Sequence, residues 1–482
     1  MNTSANLFVS IDIGTSGFHA SAVRTDGTVA FEYYEPLAPL RPAAGLSEYH
    51  ADKLLQTVKQ VLHTVLDKVD AKQVISLAFA SQRSTIVLWD KNTGRAVAPV
   101  LTWEDGRAKE QVEQADIPQE EVHILTGLYK VPFFSAPKIA WILRHIPLAQ
   151  AALQRGDLLA APLASYVIWH LSNEHTFATD YSLAQRTLLF DIRSFTWSTK
   201  LCRAFGVPES ILPPVQPSVA DYGTYTYQDV TIPITVCVGD QQAAAAYFGL
   251  LKQDSLINYG TGAFWLYNAG ETPVFLPGLL TSVSASQSGQ PGTYLLEGPV
   301  NSAGSALMWL KAQGIHFDEN DLQALCTQAQ QPVWFLPALG GLGAPYWDFT
   351  VTATTQGLSP QTQKSDWVAG VVRSMAFRLA DIAYYLEQNK CPLTGRIQVS
   401  GGLSQLAYLT SFQADILQQT VWVTAQAEAT LLGASRLASG AHGKPFAGAR
   451  NHRCITPKMP ADKARELYAR WQQFVAEVRL KK

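Results

Sequence analysis

Several things are scarce in this 482-residue sequence, and each scarcity excludes a class of protein. Five cysteines, at positions 202, 237, 326, 391 and 454, are scattered without a C-x-x-C pair. An odd, unclustered set excludes a disulfide framework or a paired-thiol zinc site and reads as reduced thiols. The ten histidines form no H-E-x-x-H motif. Net charge is nearly absent: 37 Lys and Arg stand against 39 Asp and Glu, for a total of −2. That balance gives no electrostatic reason to expect nucleic acid or an anionic membrane as partner. The start, "MNTSANLFVS", lacks a basic-then-apolar signal segment. The longest apolar stretch, "LLAAPLASYVIW" at 158–169, is too short to span a bilayer and contains Pro162. A soluble, cytoplasmic protein without membrane insertion is expected. Missing too are G-x-x-x-x-G-K-[ST], G-x-G-x-x-G opening a helix, and G-x-S-x-G. Their absence sets aside the best-known nucleotide loops and the hydrolase elbow.

What is present is an ordered chain, 47% hydrophobic and long enough for two or three domains. Two stretches resemble each other across about half its length. "LFVSIDIGTSGFHASAVRTDG" (7–27) and "SLINYGTGAFWLYNAG" (255–270) both read as strand, glycine-rich turn, strand. Their recurrence predicts a duplicated domain with a cleft between the copies. Apolar residues at helical spacing predict helices over 50–69 and 366–388, with a further helix over 461–479. Strand-like runs at 73–81, 234–240 and 396–402 each end at a small or polar residue. The mixture predicts an α/β fold. The boundary is placed near 245–252, giving domains 1–248 and 249–482. The stretch from 441 to 460 is rich in Gly and Pro.

Small residues at a hairpin tip leave backbone N–H groups free to face an anion. Three such tips occur: Gly14-Thr15-Ser16-Gly17, Gly260-Thr261-Gly262 and Ser400-Gly401-Gly402. An ordinary turn is the plain reading of each one singly. Together, with two in duplicated positions, they favour a nucleotide cleft. Asp12 precedes the first tip in an apolar strand, where it needs a partner. Mg²⁺ with a bound nucleotide is one, and a hydrogen-bonded turn is the other. Asp240 ends the run "VCVGD" and opens "QQAAAA". Taken alone it reads as a helix N-cap.

"IDIGTSGFHA", "GDQQAA", "YGTGAF" and "GLGAPYWD", in this order, resemble the FGGY carbohydrate kinases, and the glycerol kinase branch more than the xylulokinase branch. "FFSAPKIAWILRH" (133–145) is similar to one of that family's signature segments, with Lys138 and Trp141 in place. The resemblance implies an actin-like (ribonuclease H-like) ATPase fold, with two duplicated domains around ATP. It implies an ATP- and Mg²⁺-dependent kinase of a small polyol or sugar. By the same mapping Asp240 is the catalytic base, and Asp12 and Asp240 hold Mg²⁺ via the phosphates. Gly14, Thr15, Ser16, Thr261, Gly262, Gly401 and Gly402 contact the nucleotide. Arg83, Ser84, Trp103, Phe133, Gln241 and Phe264 fall at the acceptor. A homodimer is compatible with the resemblance. Without it, Arg83 reads as a surface arginine, Gln241 as a first-turn helix residue, and the aromatics as core.

The chain departs from the family at Ser84, where glycerol kinases carry an acid. A serine offers more room and less charge, which suits a longer polyol or a ketose. The residues after the last Gly-Gly, "LSQLAY", lack the asparagine usual near adenine. Alternative readings are a ketose kinase such as a xylulokinase, another actin-like ATPase, or a sugar- or nucleotide-binding relative without catalysis.

Overall fold

Strand Leu7–Ile13 is buried along nearly its whole length, and its alternation sorts the side chains onto two faces. Leu7, Val9, Ile11 and Ile13 enter a core with helices Ala51–Leu66 and Leu163–Leu171. Phe8, on the opposite face, packs with Ala243, Ala434 and Ala438. Ser10 and Asp12 share that second face. Ser10 meets Ser435 across it, hydroxyl to hydroxyl at 2.6 Å.

These relations come from a computed structural model that describes residues 6–290, 292–424, 428–446 and 452–480. The chain divides into two compact units. The first comprises Met1–Gly249, Thr281–Thr293 and Glu428–Gly448, and the second Leu250–Leu280, Tyr294–Ala427 and Ala449–Lys482. Two stretches from beyond residue 249 thus join the first unit, unlike the simple division read from the sequence. The reason for the later one is packing. Helix Ala429–Ala441 lies so close to helix Asp240–Phe248 that a Cβ on Gly433 would sit 1.8 Å from the Ala243 carbonyl oxygen. The alanine run after Asp240 is the other half of this small-residue contact.

Each unit repeats one sheet order. In the first, strand Val29–Pro36 neighbours Gly17–Arg24, then Leu7–Ile13, Val74–Ser81 and Val230–Gly239. In the second, Tyr294–Val300 neighbours Ala263–Gly270, then Ser255–Tyr259, Ile397–Ser400 and Val421–Thr424. Both read third, second, first, fourth, fifth. The first two strands of each set form an antiparallel hairpin, and the fourth joins the first in parallel. The predicted helices are present as Ala51–Leu66, Lys364–Gln388 and Ala461–Leu480. The last docks on the second through Tyr468 and Trp471, which both donate to the buried Asp381 carboxylate at 3.0 Å. The Gly/Pro-rich stretch lies partly outside the described residues, at 447–451. Among the described residues no helix is long and apolar enough to cross a membrane.

Candidate active site

The first glycine-rich turn is fixed by its carbonyls. Gln82 Nε2 donates to Gly14 O at 3.0 Å and the Tyr49 hydroxyl to Thr15 O at 2.5 Å. The Tyr34 hydroxyl and the Leu37 amide both donate to Ser16 O at 3.1 Å. In a trans peptide the C=O and the following N–H point in opposite directions. Tying the carbonyls of residues 14 and 15 inward therefore turns the Thr15 and Ser16 amides outward. Gly17 has no room for a side chain, since a Cβ would lie 2.4 Å from the Tyr34 hydroxyl.

The second turn reaches the same orientation by other means. Gly260 O accepts the Gly304 amide and Thr261 O accepts those of Ala303 and Ser305, all at 3.0 Å. These donors are at the N-terminus of helix Gly304–Ala312, where amides lack intrahelical partners. The Thr261 and Gly262 amides consequently face away from that helix. One expected free N–H is used internally: Gly260 donates to Gly262 O at 2.8 Å. Gly401, at φ 91°, stands close to this turn, and a Cβ there would meet Tyr259 O at 2.3 Å. Gly402 follows at the exposed start of a short 3-10 turn. Phe264 is half-buried in the second hairpin, opposite Asn258.

Asp12 is not a turn aspartate. It lies on its strand with Oδ1 buried and without a hydrogen-bond partner. Burial, then the neighbouring charges of Asp240 and Glu428, raise its pKa to about 8. His19, its cross-strand partner, approaches Glu428 at 3.2 Å and Glu32 at 3.5 Å.

Asp240 is not the N-cap. Gly239 occupies the cap with extended backbone, and Asp240 is the first helical residue. The acid is thus one position further along, where its carboxylate adds to the favourable electrostatics of a helix start. Its Oδ1 accepts the Gln241 amide at 2.7 Å and pairs with Arg83 Nε at 3.4 Å. The Arg83 side chain is only 10% exposed and the Asp240 side chain 33%, so Arg83 is no surface arginine. Gln241 Oε1 is buried without a hydrogen-bond partner.

Ser84 has a left-handed backbone, φ 64°, and is almost buried. Trp103 and Phe133, at 43% and 46% exposure, are not core aromatics. Trp103 Nε1 donates to Thr15 Oγ1 at 2.8 Å, tying an acceptor-site candidate to the first turn. The first unit therefore gathers Asp12, the 14–16 turn, Arg83, Trp103, Asp240 and Gln241. Thr261, Gly262, Phe264, Gly401 and Gly402 belong to the second.

Sequence reading missed four residues around these groups: Tyr49, Gln82, His19 and Glu428. The register between Asp12 and His19 across a four-residue turn was a readable signal for His19. Glu428 carried none, being more than 400 positions from Asp12.

The repeated strand order, with a glycine-rich turn in each copy, is that of the actin-like ATPase fold. Comparison with known proteins places the chain within it. Residues 7–247 match the model of the FGGY family of carbohydrate kinases, N-terminal domain, and residues 255–442 that of the C-terminal domain. The chain is 33% identical to the glycerol kinase of Limosilactobacillus reuteri, over 97% of each chain. It superposes on the Plasmodium falciparum glycerol kinase crystallised with ADP with a TM-score of 0.91, at 24% identity and 98% coverage of both. A xyloylose kinase from Brucella ovis gives 0.88 at 22% identity, covering 99% of this chain and all of the other. The chain belongs to the FGGY family of carbohydrate kinases. Its activity is ATP-dependent phosphorylation of a hydroxyl on a small polyol or sugar.

Proposed function

We propose that Asp240 is the general base in transfer of the terminal phosphoryl group of ATP to a primary hydroxyl of a small polyol, with glycerol and its longer homologues as the candidate acceptors. The observation that carries this reading is the Asp240–Arg83 pair. It sets a partly open carboxylate and the Arg83 guanidinium at a helix start, beside a buried Gln241 oxygen that has no hydrogen-bond partner. A hydroxyl-bearing carbon chain satisfies such a set. Arg83 donates to acceptor oxygens, Gln241 Oε1 accepts from one, and Trp103 and Phe133 wall the carbon skeleton, with Phe264 assigned to the acceptor by the family resemblance alone. Ser84 adds no charge and suits longer polyols or a ketose.

The acceptor oxygen loses its proton to Asp240 and attacks the γ-phosphorus in line. The bond to the β–γ bridging oxygen breaks, and ADP departs. Phosphoryl transfer asks the protein mainly for alignment and charge stabilisation. The outward amides of Thr15 and Ser16, those of Thr261 and Gly262, and the open backbone at Gly14, Gly401 and Gly402 serve the nucleotide. Residues 1–248, joined in one unit by 281–293 and 428–448, carry most of the acceptor residues together with the first turn, and the rest of 249–482 carries the remaining nucleotide residues. The orphaned Oδ1 of Asp12 fits a Mg²⁺ that arrives with the nucleotide, because a dication removes the cost of ionising a buried carboxylate. Asp12, with Asp240 through the phosphates, would hold that ion, which neutralises phosphate charge.

An ADP-release assay over polyols, ketoses and sugar acids of three to seven carbons identifies the acceptor. Against it, Asp240→Asn lowers kcat by roughly 10²- to 10⁴-fold with an unchanged circular dichroism spectrum. Near-normal turnover in that variant would sink the assignment. Arg83→Ala raises the acceptor KM by about tenfold more than the ATP KM. Equal effects on both would remove Arg83 from the acceptor pocket.

A further inference from the structure

The signature-like segment "FFSAPKIAWILRH" contains a residue that the proposed chemistry leaves unused. Lys138 is completely buried in helix Ser135–His145. Its ammonium donates to three backbone carbonyls: Thr102 at 2.5 Å, Phe133 at 2.6 Å and Ser84 at 3.2 Å. A lysine ammonium has three N–H groups and no acceptor, so this set saturates it. The three carbonyls come from separate segments. One is residue 84 itself, one is residue 133 itself, and one immediately precedes residue 103.

The surroundings brace the same segments. Ser135 Oγ also donates to Ser84 O, at 3.2 Å. With its carbonyl held twice, Ser84 keeps a left-handed backbone that a β-carbon disfavours. On the Trp103 side, the Thr102 hydroxyl donates to Ser47 Oγ at 2.7 Å, and Asp105 Oδ2 accepts the Ser47 amide at 2.7 Å. Arg107 grips Asp105 at 2.8 Å and Glu48 at 2.5 Å, and its guanidinium lies 5.1 Å from the Trp141 ring centroid. The lysine and tryptophan of the segment therefore converge on the frame that carries Trp103.

We propose that Lys138 is a positioning residue that fixes Ser84, Trp103 and Phe133 relative to one another and so sets which acceptor chain length the enzyme accepts. This rests on the reading that those three residues line the acceptor site. A flexible stem reaches three carbonyls at once, and an apolar side chain removes that shared donor, leaving Ser84 O only Ser135 Oγ and Thr102 O only the Asp105 amide among the described bonds. The consequence falls mainly on the acceptor: the braced segments carry the acceptor walls and touch the first turn through Trp103 Nε1 on Thr15 Oγ1, whereas the carbonyls of that turn are tied by Gln82, Tyr49, Tyr34 and the Leu37 amide.

The test is steady-state kinetics of Lys138→Met and Ser135→Ala with glycerol and xylitol as acceptors, beside thermal melts. In folded Lys138→Met the acceptor kcat/KM falls by about 100-fold while the ATP KM stays within about threefold. The preference between the three- and five-carbon acceptor also shrinks to about twofold or less. Equal losses toward acceptor and ATP, or unchanged acceptor selectivity, overturn the proposal. Should Lys138→Met not fold, Ser135→Ala decides, with an acceptor KM raised about fivefold and an ATP KM unchanged. No change in that variant overturns it equally. If Arg83→Ala is acceptor-selective and Lys138→Met is not, the brace fails while the acceptor-site reading stands. If neither is selective, the acceptor-site reading itself fails.

Discussion

The two glycine-rich turns have the same course and are held by different chemistry. Side chains do most of the pinning in the first, where Gln82, Tyr49 and Tyr34 reach its carbonyls from other elements beside a single amide, that of Leu37. Main chain pins the second, where amides at the start of helix Gly304–Ala312 take the carbonyls. Two residues before the first glycine of each turn the sequences also part, with Asp12 in one and Asn258 in the other. Asp12 has a buried, unpartnered oxygen, while Asn258 lies against Gly401. One duplicated hairpin has thus diverged into a turn with a carboxylate at its base and a turn with a neutral amide. The lesson is that the amide direction is the shared requirement, and that the charge was assigned to one copy alone.

Converting the first base into the second breaks the comparison most severely. Asp12→Asn is expected to lower kcat by roughly 100- to 1,000-fold, measured as ADP release at saturating Mg²⁺. The same variant is expected to melt higher than the parent at pH 8 without metal or nucleotide. Burial and neighbouring acids push the Asp12 pKa up to about 8 in the folded protein, from the 3.8 of an ordinary aspartate. Between those limits the folded form binds one more proton than the unfolded chain, so stability falls as pH rises through that window. Asp12→Asn removes that slope, and a melting series from pH 4 to 8 that keeps it would exonerate the carboxylate.

Next in size is Gly262→Ala, since a Cβ there would lie 2.7 Å from the Val300 carbonyl oxygen. Main chain gives way less readily than a side chain, and ADP affinity should drop by about 30-fold in a calorimetric titration. Unchanged affinity would mean that the second turn does not meet phosphate. The mildest lesion is Tyr49→Phe, which removes one hydrogen bond to Thr15 O. It should weaken ADP binding by about fivefold, the worth of one neutral hydrogen bond. A loss as large as that of Gly262→Ala would erase the distinction between side-chain and main-chain pinning.

Much of this was readable from the sequence, for definable reasons. Both hairpins, the helices and the α/β class follow from periodicity and glycine placement, which act over a few residues. Asp240 stood out because an acid closing an apolar strand is rare, yet its place as first helical residue depended on a one-residue shift at Gly239. Local preference does not resolve such a shift, because Gly and Asp both suit the cap. Trp103 and Phe133 read as core because aromatic composition carries no sign of exposure; their exposure is set by the segments that Lys138 holds. Glu428 and Gly433 were beyond reach altogether. Both act on residues some 190 to 420 positions earlier, and no short-range pattern records that distance.

The contact between Gly433 and the alanine helix also sets a timetable. Thr430 donates to the Asp240 carbonyl at 3.5 Å, and 190 positions separate the two. At about 5–20 residues per second, the ribosome needs roughly 10–40 s to deliver the second helix after the first. Until then the nascent chain carries Asp240 on a helix whose alanine face lacks its partner. Chains released early, anywhere before residue 429, lack that partner helix. The helix that begins at Asp240 therefore gains its packing partner only after most of the second unit has been synthesised.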